Sequence, residues 1–361
     1  MLSLSAWFIL FATLLALPLP AAAQSALPLD QIQLPPGFEI SLYAEAPSAR
    51  SLALGAEGTV FVSTRDIGVV YAVTDTDGDL IGETVRVIAR GLDLPNGIAF
   101  YEGDLYVALR TRILRYPGIE AQLDSPPEPE VIYTGFINAS AHSWKYLRVG
   151  PDGKLYVPVG FPCNVCEDSP DYGLIMRMNL DGTEPEVVAR GIRNTVGFDF
   201  HPESGALWFT DNGRDNLGDD VPPDELNVAS EPGLHFGFPY CHGGTIPDPQ
   251  FNGGRSCDEF APPALNLPAH VAALGARFYT GAMFPPDYQN QLFIAEHGSW
   301  NRSVPQGYRV SLVQIENGEV VGYEPFAEGW LQGSQFWGRP VDALVMPDGA
   351  LLVSDDYAGV V

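Results

Sequence analysis

The chain has 361 residues, 46% of them hydrophobic and 11% aromatic, a balance that excludes a disordered or coiled-coil polymer and allows one large domain or two ordinary ones. Its 38 glycines and 32 prolines break helix interiors, which argues against a helical bundle and for turn-rich β architecture. Nineteen basic against 45 acidic residues leave a formal charge of −26, which repels a phosphate backbone or an anionic bilayer and excludes nucleic acid as a natural partner.

From Leu2 to Leu19 the chain is almost wholly apolar, and Ala21-Ala22-Ala23 stand before Gln24 as the small residues of a cleavage site. This predicts a signal peptide over 1–23, a mature body over 24–361 and a periplasmic or secreted location. The segment before the apolar run has no Lys or Arg, so an uncleaved membrane anchor is the alternative. No later segment has about 18 consecutive apolar residues, so the mature body is expected to be soluble.

A pattern of strand, Gly or Asp-Gly turn and aromatic-centred strand then recurs along the chain. It reads Ala56-Glu57-Gly58-Thr59-Val60-Phe61-Val62, Tyr101-Glu102-Gly103-Asp104-Leu105-Tyr106-Val107 and Pro151-Asp152-Gly153-Lys154-Leu155-Tyr156-Val157. Looser copies follow at Pro202 to Phe209, Asp287 to Ile294 and Pro347 to Val353. Such turns between β-branched and aromatic runs mark hairpins. The anchors 61, 106, 156, 208, 293 and 352 lie 45, 50, 52, 85 and 59 residues apart, and a period near 50 is that of a four-stranded propeller blade. The expected fold is all-β, a six-bladed β-propeller over about residues 35 to 361. The 85-residue gap holds an expected long functional loop, roughly Asp211 to His270. Phe38-Glu39-Ile40-Ser41-Leu42-Tyr43-Ala44 has the alternation of a strand that could close the ring.

Four cysteines in an exported chain suggest disulfides, most simply Cys163 with Cys166 and Cys241 with Cys257. Four zinc thiolates are the competing reading, but the spacings do not repeat those of a zinc ribbon.

Four groups of polar residues flank the hairpins. His142, in Asn138-Ala139-Ser140-Ala141-His142-Ser143-Trp144, suits a general base with a pKa near working pH, or a loop histidine bonded to a carbonyl. Arg193 and Asn194, in Gly191-Ile192-Arg193-Asn194-Thr195, could present a guanidinium fork and an amide to a carboxylate or quinone oxygen, or bridge two blades. Six carboxylates lie within the fifteen residues from Asp211 to Glu225, among Asn and Gly, a composition that suits a hard cation or a solvated acidic loop. Arg302 and Arg339 stand in late loops where they could converge on an anion.

In this order, a His before the third hairpin, Arg-Asn before the fourth and an acidic Gly loop after it, the chain resembles the soluble quinoprotein sugar dehydrogenases, closest to their sorbosone dehydrogenase-like branch. The likeness runs from Leu34-Pro35-Pro36-Gly37-Phe38 to Asp355. It implies a six-bladed propeller that binds pyrroloquinoline quinone (PQQ) and Ca²⁺ at the mouth of its channel and oxidises an aldose or a sorbosone-like aldehyde. An electron acceptor such as a quinone or cytochrome would be its second partner. By resemblance, His142 is the general base, Arg193 and Asn194 contact the quinone, and the carbonyls of Gly213 and Arg214 hold Ca²⁺. Arg214 stands in place of a more usual proline. Arg339 matches one of two late arginines and Val341 stands at the other, while Arg302 is a substitute for a lysine. Phe161 and Leu92 replace an Asp and a Gln of glucose-oxidising members, which bears on sugar preference. The alternatives are a calcium-dependent lactonase-type propeller, whose metal is held by carboxylates from several blades, and a non-catalytic binding propeller.

Overall fold

The computed structural model describes residues 27–167 and 169–361, and the expected leader over 1–23 lies outside them. Among the described residues no helix is long and apolar enough to cross a membrane. Regular structure there is β, apart from short 3-10 turns. Each expected hairpin forms as an antiparallel pair: Leu52–Leu54 with Val60–Ser63, Gly97–Tyr101 with Asp104–Ala108, Arg148–Val149 with Leu155–Val159, Phe198–Phe200 with Leu207–Asp211, Ala273–Phe278 with Leu292–Glu296, and Pro340–Val345 with Leu351–Asp355.

In the first five, two further antiparallel strands extend the sheet outward, for example Val70–Thr74 and Thr84–Ala89 in the first. The sheets pack as blades of an all-β propeller. Inner strands of the first and second, second and third, fourth and fifth, and fifth and last sheets touch, and the last touches the first. Five blades of four or more strands are present where six are expected, because the last sheet has two regular strands only. Beyond these two strands Val360 forms single bridges to Asp355 and to Glu45. Tyr43 and Ala44 donate their N–H groups to the Val361 carbonyl at 2.9 and 3.1 Å. Of the expected closing strand only this end pairs with the last sheet. Phe38 instead packs edge-on against Phe284 and Phe326 in an aromatic cluster that leaves it partly buried.

Blade packing follows from the alternation of side chains along a strand. Val60 and Val62 pack with Leu344 and Leu352 of the last sheet, whereas Phe61 between them packs with Ile98 and Leu105 of the second. All three have no solvent-exposed surface, so these strands are apolar on both faces, as inner propeller strands must be.

The segment from Asp211 to His270 departs from the expected single loop. Asp224–Ala229 and Leu265–Leu267 complete the fourth sheet, and Leu234–His235 adds in parallel to the third. These strands are hard to read because Asp224, Glu225 and Asn227 are buried polar residues that replace the apolar alternation. The remainder carries a small hairpin, Cys241–His242 with Ile246–Pro247, tied down by the Cys241–Cys257 disulfide. Cys163 pairs with Cys166, and no described cysteine is free.

Candidate functional site

Loops at one end of the ring enclose a basin of about 540 Å³, lined by His142, Arg193, Asn194, Gly213, Arg302 and Arg339, residues separated by up to 197 positions in sequence. Arg50, Arg65, Trp144, Asp224 and His297 also line it. Leu274 and Trp144 in its lining belong to a small apolar cluster with Val196 and Val341.

His142 sits between the outer strand of the second sheet and the inner strand of the third, in a left-handed conformation at φ 45°. Its Nδ1 lies 2.7 Å from the Phe161 carbonyl. A carbonyl only accepts, so Nδ1 carries the proton and Nε2 is left as the basic atom. Gly160 permits this approach, since a Cβ there would stand 2.6 Å from the His142 Cβ. The expectation of a pKa near working pH is corrected. Burial, and then the neighbouring Arg193 charge, push the imidazole down to about 3.

Asp211, at the end of strand Leu207–Asp211, accepts the backbone N–H groups of Arg193 and Asn194 at 2.8 and 2.6 Å and so fixes that turn. The Arg193 guanidinium is buried and held from several sides. Nε donates to the Asn164 carbonyl at 2.8 Å, Nη2 to Asn164 Oδ1 and Asp215 Oδ2 at 3.0 Å each, and Nη1 to the Asn212 carbonyl at 3.1 Å. It therefore offers its charge and one free N–H, not the open fork expected from sequence. Asp215 also accepts from Asn301 Nδ2 at 2.8 Å.

Gly213 donates its N–H to Asp224 Oδ1 at 2.8 Å, while Asp224 Oδ2 accepts from Ala272 at 2.7 Å. Among the described residues the Gly213 and Arg214 carbonyls accept no hydrogen bond. The Arg214 side chain turns away into a buried ion pair with Asp248 at 2.5 Å. Arg302 is engaged with the acidic loop, at Asp220 Oδ1 (3.0 Å) and at the Asp219 carbonyl.

Arg339 belongs to a cluster that sequence reasoning missed. Asp356 accepts from Arg50 Nη1 at 2.8 Å, His297 Nε2 at 3.0 Å and Arg339 Nη2 at 3.0 Å. These partners overcome its burial and hold its carboxyl far below the usual carboxylate range. Burial pushes His297 down to about 4. Arg65, also missed, lies over the Trp144 ring at 4.9 Å. No local pattern marks Arg50, whose partner Asp356 lies 306 positions away, or Asp356, whose partners come from three separate segments.

Of the residues read as sugar determinants, Phe161 is buried against Phe238, with ring centroids 4.8 Å apart, and bears on the site through its carbonyl. Leu92 is not among the lining residues and packs in the core between the first two blades.

Burial and the nearby Glu225 raise Asp211 to about 8, and burial raises Glu225 and Asp342 to about 7. Between these values and the ordinary carboxylate pKa, the folded state holds protons the unfolded chain has lost, so stability falls as pH rises through that window. Above the ordinary histidine value near 6.5, His142 and His297 are neutral in both states and do not oppose the trend. The melting temperature of the ligand-free protein is therefore expected to drop by roughly 3 °C or more between pH 6.5 and 8. A scanning-calorimetry series that is flat or rises over this range would refute protonated Asp211, Glu225 and Asp342 in the folded state.

A family model described as TrAA12-like matches residues 32–329. The chain belongs to the TrAA12-like family. An uncharacterized protein of Borreliella burgdorferi is 35% identical to this TrAA12-like chain over 342 residues, covering 90% of the chain and 88% of that protein. The pyrroloquinoline quinone-dependent pyranose dehydrogenase of Coprinopsis cinerea is 24% identical over 417 residues, covering 94% of the chain and 55% of the relative. The chain thus spans about half the length of that enzyme. The holo form of the same enzyme's PQQ domain has a TM-score of 0.79 at 19% identity, covering 91% of this chain and 96% of that one. The calcium structure of the Trichoderma reesei AA12 enzyme also gives 0.79, at 20% identity over 91% and 95% of the two chains. These structures share the fold, and the resemblance to quinoprotein sugar dehydrogenases read from the sequence is borne out by the family.

Proposed function

We propose that this TrAA12-like protein is a PQQ- and calcium-dependent sugar dehydrogenase whose cofactor occupies the basin. The observation that carries this reading is the convergence of Arg50, Arg65, Arg193, Arg302 and Arg339 on one basin of a chain whose net charge is −26. Each of these arginines is held by a carboxylate, Asp356, Asp66, Asp215 or Asp220, so the basin presents oriented guanidinium donors, which suit a polyanion such as PQQ, a tricarboxylate. The donor set fits in two further respects. Trp144 lines the basin, and its Nε1 is buried without a hydrogen-bond partner among the described residues, a neutral donor left over. The unengaged Gly213 and Arg214 carbonyls are hard oxygen donors of the kind Ca²⁺ takes, with the Asp224 carboxylate behind them. The names of the Coprinopsis and Trichoderma proteins support the same cofactor pair.

When bound, the quinone supplies a hydride acceptor polarised by the metal. The chain's own part is acid–base and positional. His142, its Nδ1–H held by Phe161, uses Nε2 to take the hydroxyl proton of an aldose or an aldehyde hydrate. Arg193 and Asn194, with Arg302 and Arg339, neutralise and orient the anionic cofactor. An anion that pairs with Arg193 offsets the smaller of the two causes that depress His142, the Arg193 charge, while burial, the larger, remains. A lactonase-type site has no use for an arginine-lined basin. We further assign the last two-stranded sheet, extended by the bridges of Val360 to Asp355 and Glu45, as a sixth blade, with a quinone or cytochrome as external acceptor and a periplasmic or secreted location.

Titration of the ligand-free protein with PQQ and Ca²⁺, following dye reduction over a panel of sugars, tests the proposal. Reduction is expected with both present and should vanish on exhaustive chelation of the metal, then return with added calcium. A protein that stays inert to every sugar with both ligands in excess, or that is fully active after chelation, would overturn it.

A further inference from the structure

Asn164 lies inside the four-residue ring closed by the Cys163–Cys166 disulfide, and three of its polar groups are directed at the Arg193 side of the basin. Its carbonyl accepts from Arg193 Nε at 2.8 Å and its Oδ1 accepts from Arg193 Nη2 at 3.0 Å, so one residue grips the bidentate edge of the guanidinium. The same Oδ1 accepts the Asp215 N–H at 2.8 Å, and Asn164 Nδ2 donates to the Asp215 carbonyl at 3.0 Å. Asp215 in turn accepts from Arg193 Nη2 through its own carboxylate. Asn164, Arg193 and Asp215 thus form a closed triangle, and the disulfide ring ties its first corner to the backbone.

An arginine side chain has several freely rotating bonds, and an orientation imposed before binding spares the cost of ordering it on binding. With the Nε–Nη2 edge occupied by Asn164 and Asp215 and one Nη1 proton on the Asn212 carbonyl, what Arg193 presents is the remaining Nη1–H, in one direction.

We infer that Asn164, mounted on the Cys163–Cys166 ring, is a positioning residue that aims Arg193 at the anionic ligand of the basin. This rests on the reading of the basin as a PQQ site. It predicts that Asn164 contributes to ligand affinity through Arg193 and through nothing else.

The test is a double-mutant cycle read as the dissociation constant of PQQ in the presence of Ca²⁺, by absorbance titration and without turnover. Asn164→Ala is expected to weaken PQQ binding about tenfold in the native background and less than about twofold when Arg193→Ala is already present. Opening the ring with paired Cys163→Ser and Cys166→Ser changes should weaken binding in the same direction, again only while Arg193 is present. A merely structural role would lower the melting temperature and leave the dissociation constant of the folded variant unchanged. That result, or an equal loss in both backgrounds, overturns the inference. If Asn164→Ala does not fold, Asn164→Ser takes its place under the same criteria. Wild-type protein that binds no PQQ would overturn the functional reading and this inference together, whereas wild-type binding with unaltered Asn164→Ala affinity overturns this inference alone.

Discussion

His142→Ala is expected to lower turnover about a hundredfold or more at saturating PQQ and Ca²⁺, the usual contribution of a positioned base. Affinity for the quinone should change little, because the substitution removes none of the basin's cations. The imidazole is held by one hydrogen bond to the Phe161 carbonyl, and its loss leaves one buried acceptor without a donor, while the Phe161 N–H bond to the Arg193 carbonyl and the Asp211 bonds to the Arg193 turn are kept. The pH behaviour follows from the pKa near 3 in the ligand-free protein. A group depressed to that value stays neutral from pH 5 to 8, so the ring should show no titration there by NMR before PQQ is added. Wild-type turnover in His142→Ala would leave this histidine as a loop residue bonded to a carbonyl. A titration midpoint near 6.5 in the ligand-free protein would refute the burial argument.

Arg193→Ala is expected to weaken PQQ binding roughly ten- to a hundredfold, since a charge-assisted contact contributes about 1.5 to 3 kcal/mol. The turnover of the loaded variant should fall much less than in His142→Ala, so the two substitutions separate binding from proton transfer. Arg193→Lys should not restore affinity. A lysine ammonium cannot reproduce the planar set of bonds to Asn164, Asp215 and Asn212, and would leave buried acceptors unpaired. Equilibrium titration of both variants decides this, and an unchanged dissociation constant in Arg193→Ala removes the residue from the cofactor site.

The inner hairpins were legible from sequence because their causes are local. An Asp-Gly or Gly turn, flanked by β-branched and aromatic residues, specifies an antiparallel pair whatever surrounds it, as at Pro151-Asp152-Gly153 before strand Leu155–Val159. The disulfide partners were legible for a similar reason, being close in sequence. The outer strands of the fourth sheet were not, since Asp224, Glu225 and Asn227 replace apolar residues and are buried with the two carboxylates accepting backbone N–H groups and Asn227 Nδ2 donating to Glu225. His142 and Arg193 could be named because motif and resemblance both pointed to them, but their electrostatic state could not. The fall of His142 to about 3 depends on burial and on a guanidinium 51 positions away in the chain.

Sequence by itself thus determined the β architecture, the recurrence of the hairpins, the acidity of the chain and the residue types a cofactor site would use, all properties set by composition and by neighbours a few positions apart. Tertiary structure alone decided which arginines share a basin. Arg50 meets Asp356 across 306 positions because the last sheet closes against the first, and Arg339 and His297 reach the same carboxylate from two other loops. Asn164, inside the Cys163–Cys166 ring, meets Arg193 29 positions further along the chain. Charges separated by hundreds of residues acquire an interaction energy only when ring closure brings them within a few ångströms, and no local pattern encodes that distance.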